Sequence, residues 1–259
     1  FAKELRSVCD EFGDRILLGE VSGDRSIIRK FLGDKINNGL GLVFDFEMLS
    51  FEFSANYFRK LIERIEAHYP NPFMPVYVFS NHDRRRSINR LGDDLRKAKL
   101  LAMLQLTVRG VPCMYYGEEI GMTDLPQPFA TALDPIPHKF TFIPRFIFDF
   151  LGLLINRDEV RTPMQWDETR NAGFSSAEKT WLPIHTNYNK INLKREINDK
   201  DSLLNLTRRL LSIRNRELSL QKGSLNLLSG LPSGVLGYER KFGSEKIIVL
   251  LNFDEREKE

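Results

Sequence analysis

Short β-branched or apolar runs alternate with stretches of helical periodicity along this chain, and that alternation constrains the fold more than any other feature. RILLGEV (15–21) reads as a strand ending at Glu20, and GLGLVFDFE (39–47) as a second, entered through Gly39 and Gly41. SANYFRKLIERIEAHY (54–69) then places Phe58, Leu61, Ile62 and Ile65 on one helical face, and Pro70, Pro72 and Pro75 bring that helix to an end. VYVFSN (76–81) is a third strand. Residues 93–110 put Leu95, Ala98, Leu101, Ala102 and Leu106 on one side of a helix that Gly110 stops, and VPCMYYGEE (111–119) is a fourth strand. Strand and helix alternating at this spacing imply parallel strands joined by right-handed crossovers, an α/β fold in the form of a doubly wound sheet or a barrel.

Composition removes several classes of function. The chain has 259 residues, 38 basic against 35 acidic, so its net charge of +3 gives no electrostatic case for binding nucleic acid. Arg84, Arg85 and Arg86 form a local basic cluster of the kind usually solvated or paired. Cys9 and Cys113 make neither a disulfide framework nor a metal-ligand spacing, which favours a reducing compartment and a cytoplasmic location. FTFIPRFIFDFLGLLI (140–155) is too short to cross a bilayer and is broken by Pro144, Arg145 and Asp149, so it reads as a packed segment. FAKELRSVCDEFGDR, at the start, reads as an amphipathic helix rather than a secretory signal.

The ends of the strands carry the chemistry: Glu20, then Asn81-His82-Asp83, then Glu118-Glu119. In a barrel of alternating strands and helices, reactive residues gather at the carboxyl ends of the strands, where the loops converge on one mouth. Two carboxyl groups about 5 Å apart, one a proton donor and one a nucleophile, are what retaining glycoside cleavage requires. The plainer reading stays open for each acid taken singly, namely that it caps a helix or pairs with an arginine. Trp166 and Trp181 are expected in the core, and the same default applies to Phe44, Phe46, Tyr115 and Tyr116, which would otherwise floor a pocket.

Four motifs in order make the reading specific. LLGEV; FSNHD followed by Arg86, Arg90 and Gly92; GVPCMYYGEEIGM; and RTPMQWDETRNAGFS (161–175) together resemble signatures of glycoside hydrolase family 13, the α-amylase superfamily, in its α-glucosidase, oligo-1,6-glucosidase and trehalose synthase branch. By that resemblance Glu20 matches the general acid/base, a role that sheltering by Leu17 and Leu18 would support. Asp83 matches the aspartate that orients the sugar hydroxyls and stabilises an oxocarbenium-like transition state, and His82 the histidine that hydrogen-bonds the same ring. Arg161 resembles a position that contacts the terminal glucose in exo-acting relatives, with a structural ion pair as the alternative, and Phe44 is a candidate for the pocket floor. Arg86 and Arg90 would brace Asp83 or Glu20, or else lie on the surface.

The family's nucleophile, an aspartate in a G-F-R-x-D stretch, and its D-x-x-x-N-H stretch have no counterpart here. The resemblance thus implies the C-terminal half, strands five to eight, of a TIM-type (β/α)8 barrel over 1–218, with a long insertion at about 124–200. Residues 219–259 would begin a C-terminal β-domain. The chain is expected to be a fragment, inactive alone, that needs the N-terminal half of the barrel and otherwise self-associates. The implied partner is an α-linked oligosaccharide or disaccharide, with no nucleic acid, no membrane and no cofactor, a structural calcium ion being admitted only in the missing half. Trehalose synthase-like isomerisation stands as an alternative to hydrolysis, and a non-catalytic amylase-like binding module as a reading from another class.

Overall fold

The computed structural model describes residues 1–34, 36 and 38–258. In chain order its elements are α1 (Ala2–Asp10), β1 (Leu18–Gly19), α2 (Arg25–Phe31), β2 (Leu42–Val43), α3 (Ala55–His68), β3 (Val76–Val78), α4 (Ser87–Arg90), α5 (Leu95–Thr107) and β4 (Val111–Cys113). There follow α6 (Arg145–Phe150), α7 (Leu193–Asn198), α8 (Leu203–Arg216), α9 (Leu218–Lys222) and the strands β5 (Ser224–Leu227), β6 (Val235–Phe242) and β7 (Glu245–Asn252), with short 3-10 turns between. The chain divides into two compact units. The first comprises residues 1–78, 100–113 and 210–259, and the second 79–99 and 114–209.

In the first unit, α3 shows why the helical signal was strong. Ser54 caps it by accepting a bond from the Tyr57 amide, and the predicted apolar face, Phe58, Leu61, Ile62 and Ile65, is completely buried. β1 pairs with β2 and β3 with β4, all parallel, and a single parallel bridge from Phe44 to Val76 links the two pairs. Neighbours in the sheet are therefore neighbours in sequence. The strands are shorter than the runs read from sequence; between β3 and β4 the buried Gln105 amide donates to the carbonyls of Tyr77 (3.0 Å) and Cys113 (3.1 Å). Gly110, at φ 151°, lets the chain pass directly under Pro75, whose carbonyl accepts from Val111; a Cβ at Gly110 would lie 2.7 Å from that oxygen.

β5, β6 and β7 form an antiparallel meander in the same unit. Its buried face meets α3 and α9. Phe253, just beyond β7, stacks against Phe53 and Phe58, and the Tyr238 hydroxyl pairs with Thr107 Oγ1 at 2.6 Å. Arg240 is wholly buried, and among the described residues no carboxylate is bonded to it. Its guanidinium instead donates to four carbonyls, those of Thr107 (2.6 Å), Leu220 (3.0 Å), Gly223 (3.0 Å) and Ser224 (3.2 Å). α1 is helical as expected, but none of its residues is buried.

The second unit has little regular structure and is ordered by buried carboxylates. Asp134 grips Arg157 through both oxygens (2.8 and 2.9 Å), and this bond, foremost, holds the Asp134 carboxyl down at about 2. Asp158 accepts from the amides of Leu133 (2.6 Å) and Asp134 (3.1 Å), while Glu159 binds Arg145. These bonds tie both ends of the Pro-rich stretch 124–160 together. The expectation that 140–155 is a packed segment holds for Phe148, which is buried between Phe129 and Phe140. It fails for Phe142, which precedes α6 and is exposed, and for Phe146 and Phe150, the last 89% exposed, because α6 has under two turns and buries only one side. Among the described residues no helix is long and apolar enough to cross a membrane, and no group of three or more His, Cys, Asp or Glu is placed to hold a metal ion.

Candidate active site

The second unit assembles three of the candidate residues. After β3 the Asn81 side chain accepts the Asp83 amide at 3.0 Å, a turn that swings the His82-Asp83 pair out of the strand direction. Arg161 then reaches across 78 residues of sequence: its Nη2 donates to Asp83 Oδ1 at 2.8 Å and its Nε to the His82 carbonyl at 2.9 Å. Arg157 Nη1 approaches the same carboxylate oxygen at 3.4 Å, and His82 Nε2 lies 3.4 Å from Oδ2. One oxygen of Asp83 is thus held by two guanidinium groups, themselves anchored, while the other faces the imidazole. The result is a half-exposed carboxylate of fixed orientation, the kind of group that stabilises positive charge developing on a bound molecule.

Glu20 and Phe44 belong to the first unit. Glu20 is exposed and Leu18 is half-exposed, so Leu17 and Leu18 do not provide the shelter expected of them. Phe44 is partly buried and stacks on Phe46 at 5.8 Å.

Among the described residues, Arg86 is bonded to neither candidate acid. Arg86 is fully buried, donating to the carbonyls of Tyr116 (2.6 Å) and Val160 (2.9 Å), with its guanidinium 4.9 Å from the ring centres of both Tyr115 and Tyr116. Arg90 takes the carbonyls of Arg85 and Phe79, which ends the strand there. Glu118 accepts from Ser80 Oγ (2.5 Å), Ser87 Oγ (2.8 Å) and the Tyr115 amide (2.8 Å), a structural role. Its neighbour Glu119 points elsewhere and is raised in pKa by burial.

Sequence reasoning missed Asp124 and His185. His185 accepts the Asn187 amide at Nδ1 (3.0 Å), so Nε2 carries the hydrogen and donates toward the Asp124 carbonyl and Thr123 Oγ1, both at 3.1 Å. Burial, first, pushes its pKa down. Asp124 Oδ1 accepts the Arg86 amide at 3.0 Å, whereas Oδ2 is buried without a hydrogen bond, 3.9 Å from Arg85. Burial pushes this carboxyl up to about 6, with Glu159 nearby adding to the effect and Arg85 and Arg86 opposing it. A carboxyl raised above its unfolded value binds its proton more tightly in the native state, so it favours folding at low pH, and that advantage is lost as pH rises from about 4 to 6. Asp124→Asn should therefore gain on the wild type by up to about 3 kcal/mol between pH 4 and 7. Urea unfolding at both pH values checks this, and a stability difference independent of pH would refute it.

Beside Arg161 the second unit encloses a cavity of about 490 Å³, floored by Tyr116, Met164, Trp166, Phe174 and Trp181 with Glu119 and Arg161 at its polar edge. The expectation that both tryptophans are core residues is overturned: Trp166 is 45% and Trp181 85% exposed. The cause is the loop between them. Trp166 and Asp167 both donate to the Ala172 carbonyl, and Asn171, Ala172 and Gly173 are left-handed in succession (φ 54°, 54° and 68°), which turns the chain back under Trp166. A Cβ on Gly173 would meet Asp167 Oδ1 at 2.7 Å.

A conserved-domain comparison matches residues 1–223 to the alpha amylase catalytic domain, and the chain belongs to that family. It is 32% identical over 190 residues to an oligo-1,6-glucosidase of Parageobacillus thermoglucosidasius, covering 68% of this chain and 34% of that protein. It is 32% identical over 258 residues to a salivary alpha-glucosidase of Aedes aegypti, covering 96% and 42%. Among solved structures it is similar to the trehalulose synthase of Pseudomonas mesoacidophila MX-45 (TM-score 0.83, 28% identity, 97% of this chain and 49% of that one). It is also similar to a mutant isomaltulose synthase of Erwinia rhapontici NX5 in complex with sucrose (TM-score 0.82, 28% identity, 98% and 50%). The fold is thus of the alpha-amylase type, and the chain spans between a third and a half of the length of these relatives.

Proposed function

We propose that this chain supplies strands five to eight of an amylase-type (β/α)8 barrel, with 219–259 opening a β-domain, and that the complete barrel hydrolyses α-glucosides with retention. The observation that carries the reading is the Asp83 carboxylate, fixed by Arg161 and Arg157 beside His82, in a chain of this family. Four parallel strands in sequential order and the share of each relative that the chain spans support the half-barrel part. In this reading Glu20 is the general acid/base, Asp83 stabilises the transition state, His82 and Arg161 bind the sugar, and Phe44 contributes apolar surface. The nucleophile comes from the other half.

The test joins the chain to the N-terminal half of the oligo-1,6-glucosidase it resembles and measures glucose release from maltose, isomaltose and a nitrophenyl α-glucoside. Release from at least one of them, lost in Asp83→Asn, is expected; a folded joined protein that releases none refutes the reading. A second reading, intramolecular transfer, draws on the likeness to a trehalulose synthase and to an isomaltulose synthase in complex with sucrose. Supplied with sucrose, a hydrolase yields glucose and fructose, whereas an isomerase yields a rearranged disaccharide.

A further inference from the structure

We propose that Asp134, an acid of the long stretch 124–160, is a positioning residue: by gripping Arg157 it fixes the orientation of the Asp83 carboxylate. The reaction it serves rests on the function proposed above; the positioning itself rests on the bonds.

Arg157 opens a short 3-10 turn and Arg161 directly follows its last residue, Val160. Both guanidinium groups meet at one atom, Asp83 Oδ1, Arg157 at 3.4 Å and Arg161 at 2.8 Å. The longer contact is too weak to hold Arg157 where it is. Asp134 does so. Its Oδ2 accepts the Arg157 amide (3.1 Å) and Nε (2.8 Å), and its Oδ1 accepts Nη2 (2.9 Å), so that Nη1 is the nitrogen left to face Asp83. A planar fork bound along one edge has the direction of its other edge decided. The Asp134 side chain is fully buried, so water does not compete for this grip.

The anchor is itself anchored. Asp158, in the turn that Arg157 opens, accepts the amides of Leu133 (2.6 Å) and Asp134 (3.1 Å), while Asp134 Oδ1 also accepts the Ile136 amide (3.2 Å). The two segments therefore hold one another reciprocally, an acid of each bonded to the backbone of the other. The bond to Arg157 keeps the Asp134 carboxyl down at about 2 and raises the guanidinium in turn, so both partners stay ionised across the neutral range.

Asp83 needs an outside reference. Its carboxylate is 38% exposed, and Arg161 divides its bonds between Asp83 and the adjoining His82 carbonyl, so that arginine can follow the pair if it moves. Arg157 is the member of the clamp tied to a separate segment, and Asp134 is the tie. A fixed anion stabilises developing positive charge best when its direction is set before the charge appears. A misplacement of about 1 Å, caused by a change away from the chemistry, can cost about a hundredfold in rate.

In the joined enzyme, Asp134→Asn should lower kcat/KM about tenfold or more, for maltose and a nitrophenyl α-glucoside alike. In an Asp83→Asn background the same change should cost less than about twofold, because the group it acts through is already gone. Asp134→Glu keeps the charge and the ion pair but displaces the guanidinium by one methylene. It should show the same pattern, and it carries the test if loss of the buried pair keeps Asp134→Asn from folding. An equal loss in both backgrounds, as a purely structural acid would give, or no loss in a folded variant would overturn the proposal.

The 259-residue chain allows a measurement that needs no activity. NMR signals of the Arg161 Nε–H and of the His82 ring, assigned through Arg161→Lys and His82→Gln, report on the clamp around Asp83. Among the described residues neither group is bonded to Asp134. Both signals should move in Asp134→Asn or Asp134→Glu, and in Arg157→Met neither substitution should move them further; signals that stay in place sink the idea. The two failures are separable. An active joined enzyme indifferent to Asp134 removes this inference alone, whereas an inactive one removes the catalytic reading and leaves the positioning to be decided by the two signals.

Discussion

Replacing Arg86 by Met should lower the stability of the second unit by about 3 kcal/mol, and replacing it by Lys should do no better. Two effects oppose each other. Removing a buried guanidinium relieves its desolvation, and a hydrophobic side chain of similar length sometimes gains from that. Against this, the buried Val160 carbonyl and the part-buried Tyr116 carbonyl each lose a donor, about 1 to 3 kcal/mol apiece, and the two flanking tyrosine rings lose the cation between them. The second group prevails because it comprises three separate losses. Lysine keeps the charge but has a single ammonium that cannot serve both carbonyls, so it retains the desolvation cost and recovers half the bonds. Both tryptophans lie in this unit, so urea unfolding followed by their fluorescence isolates its stability. A Lys variant as stable as wild type would show that charge, rather than the fork of donors, is what the site requires.

At Arg86 the sequence stops being legible. Arg84, Arg85 and Arg86 are indistinguishable as letters, yet Arg84 is exposed and Arg86 is fully buried, because the third falls where two carbonyls and two tyrosine rings converge from segments 30 to 74 residues away. Non-local acceptors leave no local trace. α3 lies at the opposite extreme, with its cap, apolar face and proline stop all written locally, and it was read to within a residue at each end. The strands were legible as apolar runs but not in length, and the side chains that take carbonyls of the third run, Gln105 and Arg90, come from outside it. His82, Asp83 and Arg161 could be grouped from motif resemblance alone, for no spacing rule joins residues 78 apart. The tryptophans were misassigned by a sound default. Two glycine-related signals pointed the other way: Asn171-Ala172-Gly173 between Trp166 and Phe174, a left-handed turn where an aromatic pair would otherwise pack inward, and Gly117 and Gly121 around Glu118-Glu119, which send one carboxyl to the serines and the other to the cavity.

In the joined enzyme, Glu20→Gln and Asp83→Asn should fail in different ways, and the difference separates their roles. Glu20→Gln keeps shape and hydrogen bonding but cannot give a proton to the departing oxygen. Formation of the glycosyl-enzyme should therefore collapse for maltose and isomaltose, whose leaving groups are poor, and suffer far less for a nitrophenyl α-glucoside, whose leaving group departs unprotonated. Asp83→Asn acts on the sugar itself. It removes the negative charge that Arg161, Arg157 and His82 hold in place, and it leaves the two guanidinium groups beside a developing positive charge they would repel. The loss should be several kcal/mol in kcat/KM, or three or more orders of magnitude, for every substrate whatever its leaving group. An equal loss for nitrophenyl glucoside and maltose in Glu20→Gln would remove Glu20 from the acid/base role. A rescue of Asp83→Asn by the activated substrate would mean that Asp83 assists the leaving group rather than the ring, and the arginine clamp around it would then have to be understood as holding a proton donor's partner instead of a fixed anion.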